Sequence, residues 1–435
     1  MADSAENLAR PKEDIPLFKL HDAHLDTGAP IPDAADIDLA DLDLTDVELW
    51  RRDAVAPRFA RMRDEAPLHW CKDSPFGPYW SLTRYEDILA VDTNHIDFSS
   101  EPSIVLPDID EEMPLKLFIA MDPPKHDVQR KTVQPAVGPA MLKTFEPLIR
   151  ERTATLLDSL PRNVAFDWVD TVSIGLTTMM LATLFDFPFE DRRKLTRWSD
   201  VATAGKNRAI LPGGDEQRRA ELGECLQYFM GLWHRAAAAE PRGDLISMLA
   251  HGEETKNMSP MEFLGNLVLL IVGGNDTTRN SMTGGLYAFS KWPAELEKLR
   301  ANPDLIPSAV SEIIRWQTPL SYMRRIAKRD VEMHGQTIRA GDKVAMWYAS
   351  GNRDERHFPE RADELWIDRP MVRSHMAFGY GIHRCVGNRL AELQLQVLWQ
   401  EILKRFDKIE VLEEPGRTPS SFVHGYHRMM VRIPG

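Results

Sequence analysis

From Leu49 onward, apolar residues recur three and four positions apart, the spacing of helices that bury one face. Proline and Asp/Gly clusters interrupt these runs, as at 73–78 and 211–215. Two stretches alternate instead. One covers 78–83. The other covers 331–348, where His334-Gly335 and Ala340-Gly341-Asp342 read as turns between short strands. No repeat of 20–50 residues is present, and no flexible linker follows residue 50. The pattern predicts a mainly α fold with small β-sheets: a single domain over 47–435, preceded by an acidic N-terminal arm at 1–46 that drapes over the surface or moves freely.

One helix is placed by its own start signal. Ser259-Pro260-Met261-Glu262 is a capping box with proline at the first helical position. Phe263, Leu264, Leu267, Val268, Leu270 and Ile271 follow, and Pro293 stops the run. About 33 residues at a 1.5 Å rise make a rod of about 50 Å. It is apolar on most sides, which predicts burial. Its centre, Gly273-Gly274-Asn275-Asp276-Thr277-Thr278, is unusual. Each glycine costs a helix about 0.5–1 kcal/mol relative to alanine. A buried aspartate needs a partner, and threonine can bond back to a carbonyl and bend the rod. Two readings fit: a kinked core helix with a satisfied polar network, or a place where a flat group meets the backbone and protons are delivered.

Composition is that of a globular chain, with 43% hydrophobic and 27% charged residues among 435. Three isolated cysteines, Cys71, Cys225 and Cys385, make no disulfide framework and favour a reducing compartment. The net charge is −13, but residues 1–46 alone carry 12 acids and 3 bases. The body is nearly neutral, which disfavours nucleic-acid binding. The longest uncharged apolar stretches, 171–185 and 263–275, fall short of the ~20 residues that span a bilayer. The opening Met-Ala-Asp-Ser-Ala-Glu has no secretory pattern, so a cytoplasmic location without a transmembrane segment is expected.

The strongest chemical signal is Phe378-Gly379-Tyr380-Gly381-Ile382-His383-Arg384-Cys385-Val386-Gly387. Three glycines in ten residues imply a specially shaped loop. Leu390, Leu393, Val397, Leu398 and Ile402 then recur at helical spacing, so Cys385 precedes a helix N-terminus, which favours a thiolate. A zinc site would need further ligands that isolated Cys71 and Cys225 do not supply. A hydrolytic nucleophile would need a base that His383 could hardly provide from a turn. An axial thiolate to haem iron needs neither. The remaining alternative is a buried, inert cysteine, the reading adopted for Cys71 and Cys225.

At this point the residues resemble a known family. Segment 378–387 resembles the haem-binding signature of the cytochromes P450, Phe-Gly-x-Gly-x-His-x-Cys-x-Gly. Gly273-Gly-x-Asp-Thr-Thr278 resembles the family's oxygen-activation motif in its long central helix. Glu312-Ile-Ile-Arg315 resembles its Glu-x-x-Arg pair, leading into Gln-Thr-Pro319 and Arg325-x-Ala-x-x-Asp330. Asp122-Pro-Pro-Lys-His126-x-x-x-Arg130 resembles a further motif. The ordered set covers roughly residues 50–435.

The resemblance implies a haem b cofactor held between the central helix and the cysteine loop. Cys385 would be the metal ligand, its electron donation favouring O–O cleavage. Phe378 would pack by the sulfur, and Gly379 and Gly387 would let the backbone approach it. His126, Arg130, Arg325 and His383 would bind the haem propionates. Gly273 would leave room above the ring. Asp276 and Thr277 would form the catalytic proton relay, Thr277 hydrogen-bonding bound oxygen and Asp276 connecting it to solvent. Glu312, Arg315 and Arg369 would form a structural ion group.

The central-helix and cysteine-loop segments also resemble those of soluble bacterial alkane terminal hydroxylases. That likeness implies oxidation of medium-chain n-alkanes, and of fatty acids, at the terminal carbon. Ile104, Val105, Leu106, Leu115, Leu117, Phe118 and Ile119 would cap an apolar pocket that Leu320, Tyr322, Met323, Phe422 and Val423 also line. No flavin, nicotinamide or iron–sulfur fingerprint is present. Electrons are therefore expected from a separate ferredoxin and ferredoxin reductase, docking near Arg373, Arg384 and Arg389. The rivals are a P450 acting on a terpene or steroid, a peroxide-driven hydroxylase, and a non-catalytic haem-thiolate sensor. His424 and His427 read as loop or pocket rim.

Overall fold

The computed structural model describes residues 29–435 apart from 206 and 209. The first 28 residues of the arm lie outside the described residues. Helices dominate, and the long one runs over Pro260–Lys291. The Ser259 side chain accepts from the Glu262 N–H, and Glu262 caps Ser259 in return. The helix closes at Trp292, whose N–H donates to the Ala288 carbonyl, and Pro293 opens the next helix. It stays α-helical through the Gly-Gly-Asn-Asp-Thr-Thr centre, without a break.

This central helix is buried along most of its length, and its two halves serve two hydrophobic cores. The first half packs with Gly175–Phe185, Arg193–Thr203 and Gly214–Ala237 through Phe263, Leu264, Leu267 and Ile271. The second half packs with Ile306–Gln317 and Asn388–Arg405 through Met282, Leu286 and Phe289. Glycine fixes the second contact. A Cβ on Gly284 would fall 2.1 Å from Gln317 Oε1, and one on Gly285 would fall 3.1 Å from Ile313.

The sheets are small. The largest orders its strands as Leu68–Cys71, Tyr79–Leu82, Lys343–Met346, Met323–Ala327 and Phe98–Ser99. Only the second and third of these pair in parallel. The expected hairpin appears as Val331–Met333 paired with Gln336–Ile338, with His334 and Gly335 at positive φ in its turn.

Residues 29–46 pack onto the body. Leu42 and Leu44 are buried in one cluster with Trp50, Tyr79 and Trp347. Trp50 Nε1 donates to the Leu44 carbonyl at 2.8 Å, and Arg61 Nη1 donates to the Ala34 and Ile37 carbonyls. Two leucines among many aspartates gave no periodic signal, but they are enough to anchor the segment. Among the described residues no helix is long and apolar enough to cross a membrane.

Candidate active site

Two elements meet across a cavity of about 770 Å³. One is the cysteine loop. Its Cys385 N–H donates to the Phe378 carbonyl at 2.8 Å, folding the loop back on itself. Gly379 and Gly381 both sit at φ +65°, and a Cβ on Gly381 would fall 2.7 Å from the Asp92 carbonyl. Gly387 then caps the Asn388–Arg405 helix. Cys385 opens on the cavity with Phe378, Gly379, His383 and Gly387. Burial raises its thiol pKa, opposed by the N–H groups of Gly387 and Asn388 and by Arg130 and Arg384.

The facing wall is the central helix, which presents Gly273, Gly274 and Thr277. A Cβ on Gly273 would meet nothing within 4 Å. Thr277 Oγ1 donates to the Gly273 carbonyl at 2.7 Å, which directs the hydroxyl along that bare face. Asp276 points elsewhere. It is fully buried and does not line the cavity. Arg279 Nη2 lies 3.0 Å from its Oδ1 and 2.6 Å from Asp200 Oδ1. Thr203, which does line the cavity, donates to Asp276 Oδ2 at 3.4 Å. Burial outweighs the arginine and pushes the Asp276 carboxyl up to about 6.

Four nitrogen side chains gather beside the cysteine loop. His126 and His383 are both buried, with ring centroids 4.3 Å apart. His126 Nδ1 meets Asp127 at 2.7 Å, but its Nε2 has no partner, nor does either nitrogen of His383. Arg130 Nη2 donates to the Arg384 carbonyl at 2.5 Å, beside the cysteine. Arg325 Nη2 donates to Asp92 at 2.7 Å, and Asp92 also accepts from the Tyr348 hydroxyl and the Tyr380 N–H. His383 with both nitrogens orphaned, the Cys385 thiol and the open Gly273 face share one cavity, and His126, which does not line it, packs behind His383; the set suits a flat iron ligand carrying two carboxylates. These residues therefore fit haem b.

Below the loop, Glu312 is fully buried and holds two arginines. Arg315 donates to it through Nε at 2.7 Å and Nη2 at 2.8 Å, and Arg369 Nε at 3.1 and 3.2 Å. The Trp366 N–H adds a bond at 2.9 Å. Arg373, Arg384 and Arg389 are exposed on this side and share Glu392 as an electrostatic neighbour.

Most of the expected lining is present: Ile104, Val105, Leu115, Leu117, Phe118, Ile119, Leu320, Tyr322, Met323 and Phe422. Leu106 and Val423 do not line the cavity. Leu106 is buried in the arm cluster, and Val423 pairs with Leu320 across a β-bridge. His424 and His427 are not at the rim. His424 is buried, its Nδ1 2.7 Å from the Gln317 carbonyl, and His427 lies in the Tyr426–Arg428 strand. Leu181, Leu184 and Leu222 also line the cavity, and their sequence pattern does not set them apart from core.

The cytochrome P450 family model matches residues 234–425. Linalool 8-monooxygenase of Pseudomonas putida is 34% identical over 396 residues, covering 88% of this chain and 97% of its own length. Methyl-branched lipid omega-hydroxylase of Mycobacterium tuberculosis (strain ATCC 25618 / H37Rv) is 32% identical over 429 residues, 93% of this chain and 96% of its own. Among solved structures, cytochrome P450-153 from Novosphingobium aromaticivorans superposes with a TM-score of 0.85 at 46% identity, covering 90% of this chain and 99% of that one. CYP153D17 from Sphingomonas sp. PAMC 26605 gives a TM-score of 0.85 at 49% identity over the same shares.

Proposed function

The chain belongs to the cytochrome P450 family of haem b monooxygenases, and from that premise we propose that it hydroxylates the terminal carbon of medium-chain n-alkanes, and of related fatty chains, to primary alcohols. One observation carries this reading: a largely aliphatic cavity of about 770 Å³ that ends on Cys385, Gly273 and Thr277. The relative named for omega-hydroxylation of a methyl-branched lipid supports attack at a chain end. A primary C–H bond is stronger than a secondary one. Terminal selectivity therefore depends on holding the chain end inward and the inner methylenes away, a positioning effect.

Haem b, when bound, supplies O2 activation and oxygen insertion, with thiolate ligation favouring O–O cleavage. Cys385 presents that thiolate from a loop its own backbone bonds hold shut. His126, His383, Arg130 and Arg325 would hold the cofactor's two carboxylates by charge-assisted bonds. Thr277 keeps a hydroxyl over the Gly273 face, with its own proton given to a carbonyl and its oxygen left to accept. Asp276, its carboxyl raised to about 6 by burial, takes up and releases a proton just below neutral pH. Thr203 is its contact on the cavity wall, and Arg279 with Asp200 leads from it toward solvent. Electrons come from a separate ferredoxin and reductase docking at Arg373, Arg384 and Arg389, in the cytoplasm.

A second reading, hydroxylation of a terpenoid, is favoured by the linalool 8-monooxygenase relative. Spectral titration of the ferric holoenzyme with n-alkanes and with linalool separates the two. A high-spin shift with decane supports the first reading, and one with linalool alone replaces it.

A further inference from the structure

We infer that the solvent-facing end of the cavity disfavours a carboxylate terminus, so that the preferred substrate is a neutral alkyl chain, with Asp110 as the specificity-determining residue. This rests on the terminal-hydroxylation reading above.

Among the described residues the cavity wall holds four arginines. Arg130 and Arg325 belong to the buried end, beside the cysteine loop. Arg218 and Arg219, on the Gly214–Ala237 helix, are the two left to receive a carboxylate at the open end. Both are occupied. Arg219 Nη1 donates to the two Asp110 oxygens at 3.4 and 3.2 Å, and its Nη2 lies 3.2 Å from Glu112. Arg218 pairs with Asp215 on its own helix and reaches the Gly205 carbonyl at 3.5 Å. Asp46 and Asp108 stand on the same wall, and the cation nearest Asp108 is Lys343, at 2.7 Å and outside the lining.

An incoming carboxylate has two obstacles. It must displace Asp110 or Glu112 from the guanidinium, and it must give up hydration beside carboxylates of its own sign. A methyl-ended chain meets neither. The acids thus act by making the wrong substrate unfavourable rather than by contacting the right one. Of the two acids on Arg219, Asp110 is the one that lines the cavity. Burial pushes its carboxyl up, but the Glu112 N–H and Arg219 outweigh burial and hold it below the ordinary range. It is therefore charged at neutral pH.

The test is high-spin titration of ferric holoenzyme with decane and with decanoate, in wild type, Asp110→Asn and Asp110→Asn with Arg219→Gln. A normal reduced carbon-monoxide spectrum confirms that each variant is folded. Wild type should bind decane more tightly than decanoate. Asp110→Asn should tighten decanoate about fivefold, the scale of one partly exposed ion pair, and leave decane within about twofold. Adding Arg219→Gln should abolish the gain. An unchanged decanoate-to-decane ratio in Asp110→Asn overturns the inference while leaving terminal hydroxylation standing. A wild type that responds to neither ligand removes both.

Discussion

Glu312→Gln should destabilise the chain severely, because it keeps the shape of the side chain and removes only its charge. Glu312, Arg315 and Arg369 are all buried, Glu312 and Arg315 without any exposed surface. Glu312 accepts from both arginines and from the Trp366 N–H. Their remaining donors bind carbonyls of the segment that leads to the thiolate loop: Arg315 binds Asn352, Ala362 and Glu364, and Arg369 binds Arg361 and Glu364. A neutral amide would leave two guanidinium ions in a dry site without a counter-charge and turn an N–H group toward them. Breaking a buried pair in this way costs about 3–5 kcal/mol. With urea slopes of at least ~3 kcal/mol/M for a chain this long, the unfolding midpoint should fall by about 1 M. Urea titration of the reduced, carbon-monoxide-bound protein reads this as loss of the thiolate-type absorption, alongside far-ultraviolet circular dichroism for the helices. A midpoint within about 0.2 M of wild type would refute the claim that this charge holds the proximal segment.

Cys385→Ser should fold and bind haem but lose the thiolate-type Soret band of the reduced carbon-monoxide complex. Thr277→Ala should keep that band and its substrate affinity while diverting reducing equivalents to peroxide, read as a fall in alcohol formed per NADH consumed. Asp276→Asn should change the pH dependence of stability. The folded carboxyl ionises at about 6 against an ordinary 3.8, so the native state favours the protonated form and loses stability as pH rises through 4–6. Between pH 5 and 7.5 wild type should lose on the order of 1 kcal/mol relative to the variant. Urea midpoints at the two pH values check this, and parallel changes would count against a buried, proton-holding Asp276.

What was legible in the sequence was what local chemistry dictates. The capping box at Ser259 set the start of the central helix and Pro293 its end. Turn residues at His334-Gly335 set a hairpin. The glycines of 378–387 called for a loop that only positive φ permits, and Gly379 and Gly381 adopt it. Tertiary choices were less legible. Val105 and Leu106 share one apolar run, yet Val105 faces the cavity while Leu106 turns into the arm cluster. Leu181 and Leu222 line the cavity from helices whose apolar positions look like any core face. Asp276 and Thr277 are adjacent in sequence, but successive helical residues point about 100° apart. Thr277 therefore faces the cavity and Asp276 faces Arg279 and Thr203.

The charges around the cavity follow one logic. At the buried end, cationic or donor groups exceed what the protein itself answers: Arg130 meets a carbonyl, His126 Nε2 is unpaired, and His383 is unpaired at both nitrogens. Those groups would be costly in a dry site unless a ligand brings carboxylates to them. At the open end the reverse holds. Arg218 and Arg219 are matched by Asp215, Asp110 and Glu112, and Asp108 is matched by Lys343. A dianionic cofactor and a free fatty acid both carry carboxylates, so a cavity attractive to anions throughout would not distinguish them. On the proposed reading, unanswered donors beside Cys385 would serve the carboxylates of the cofactor, and the cancelled arginines at the mouth would leave the remaining volume to an uncharged chain.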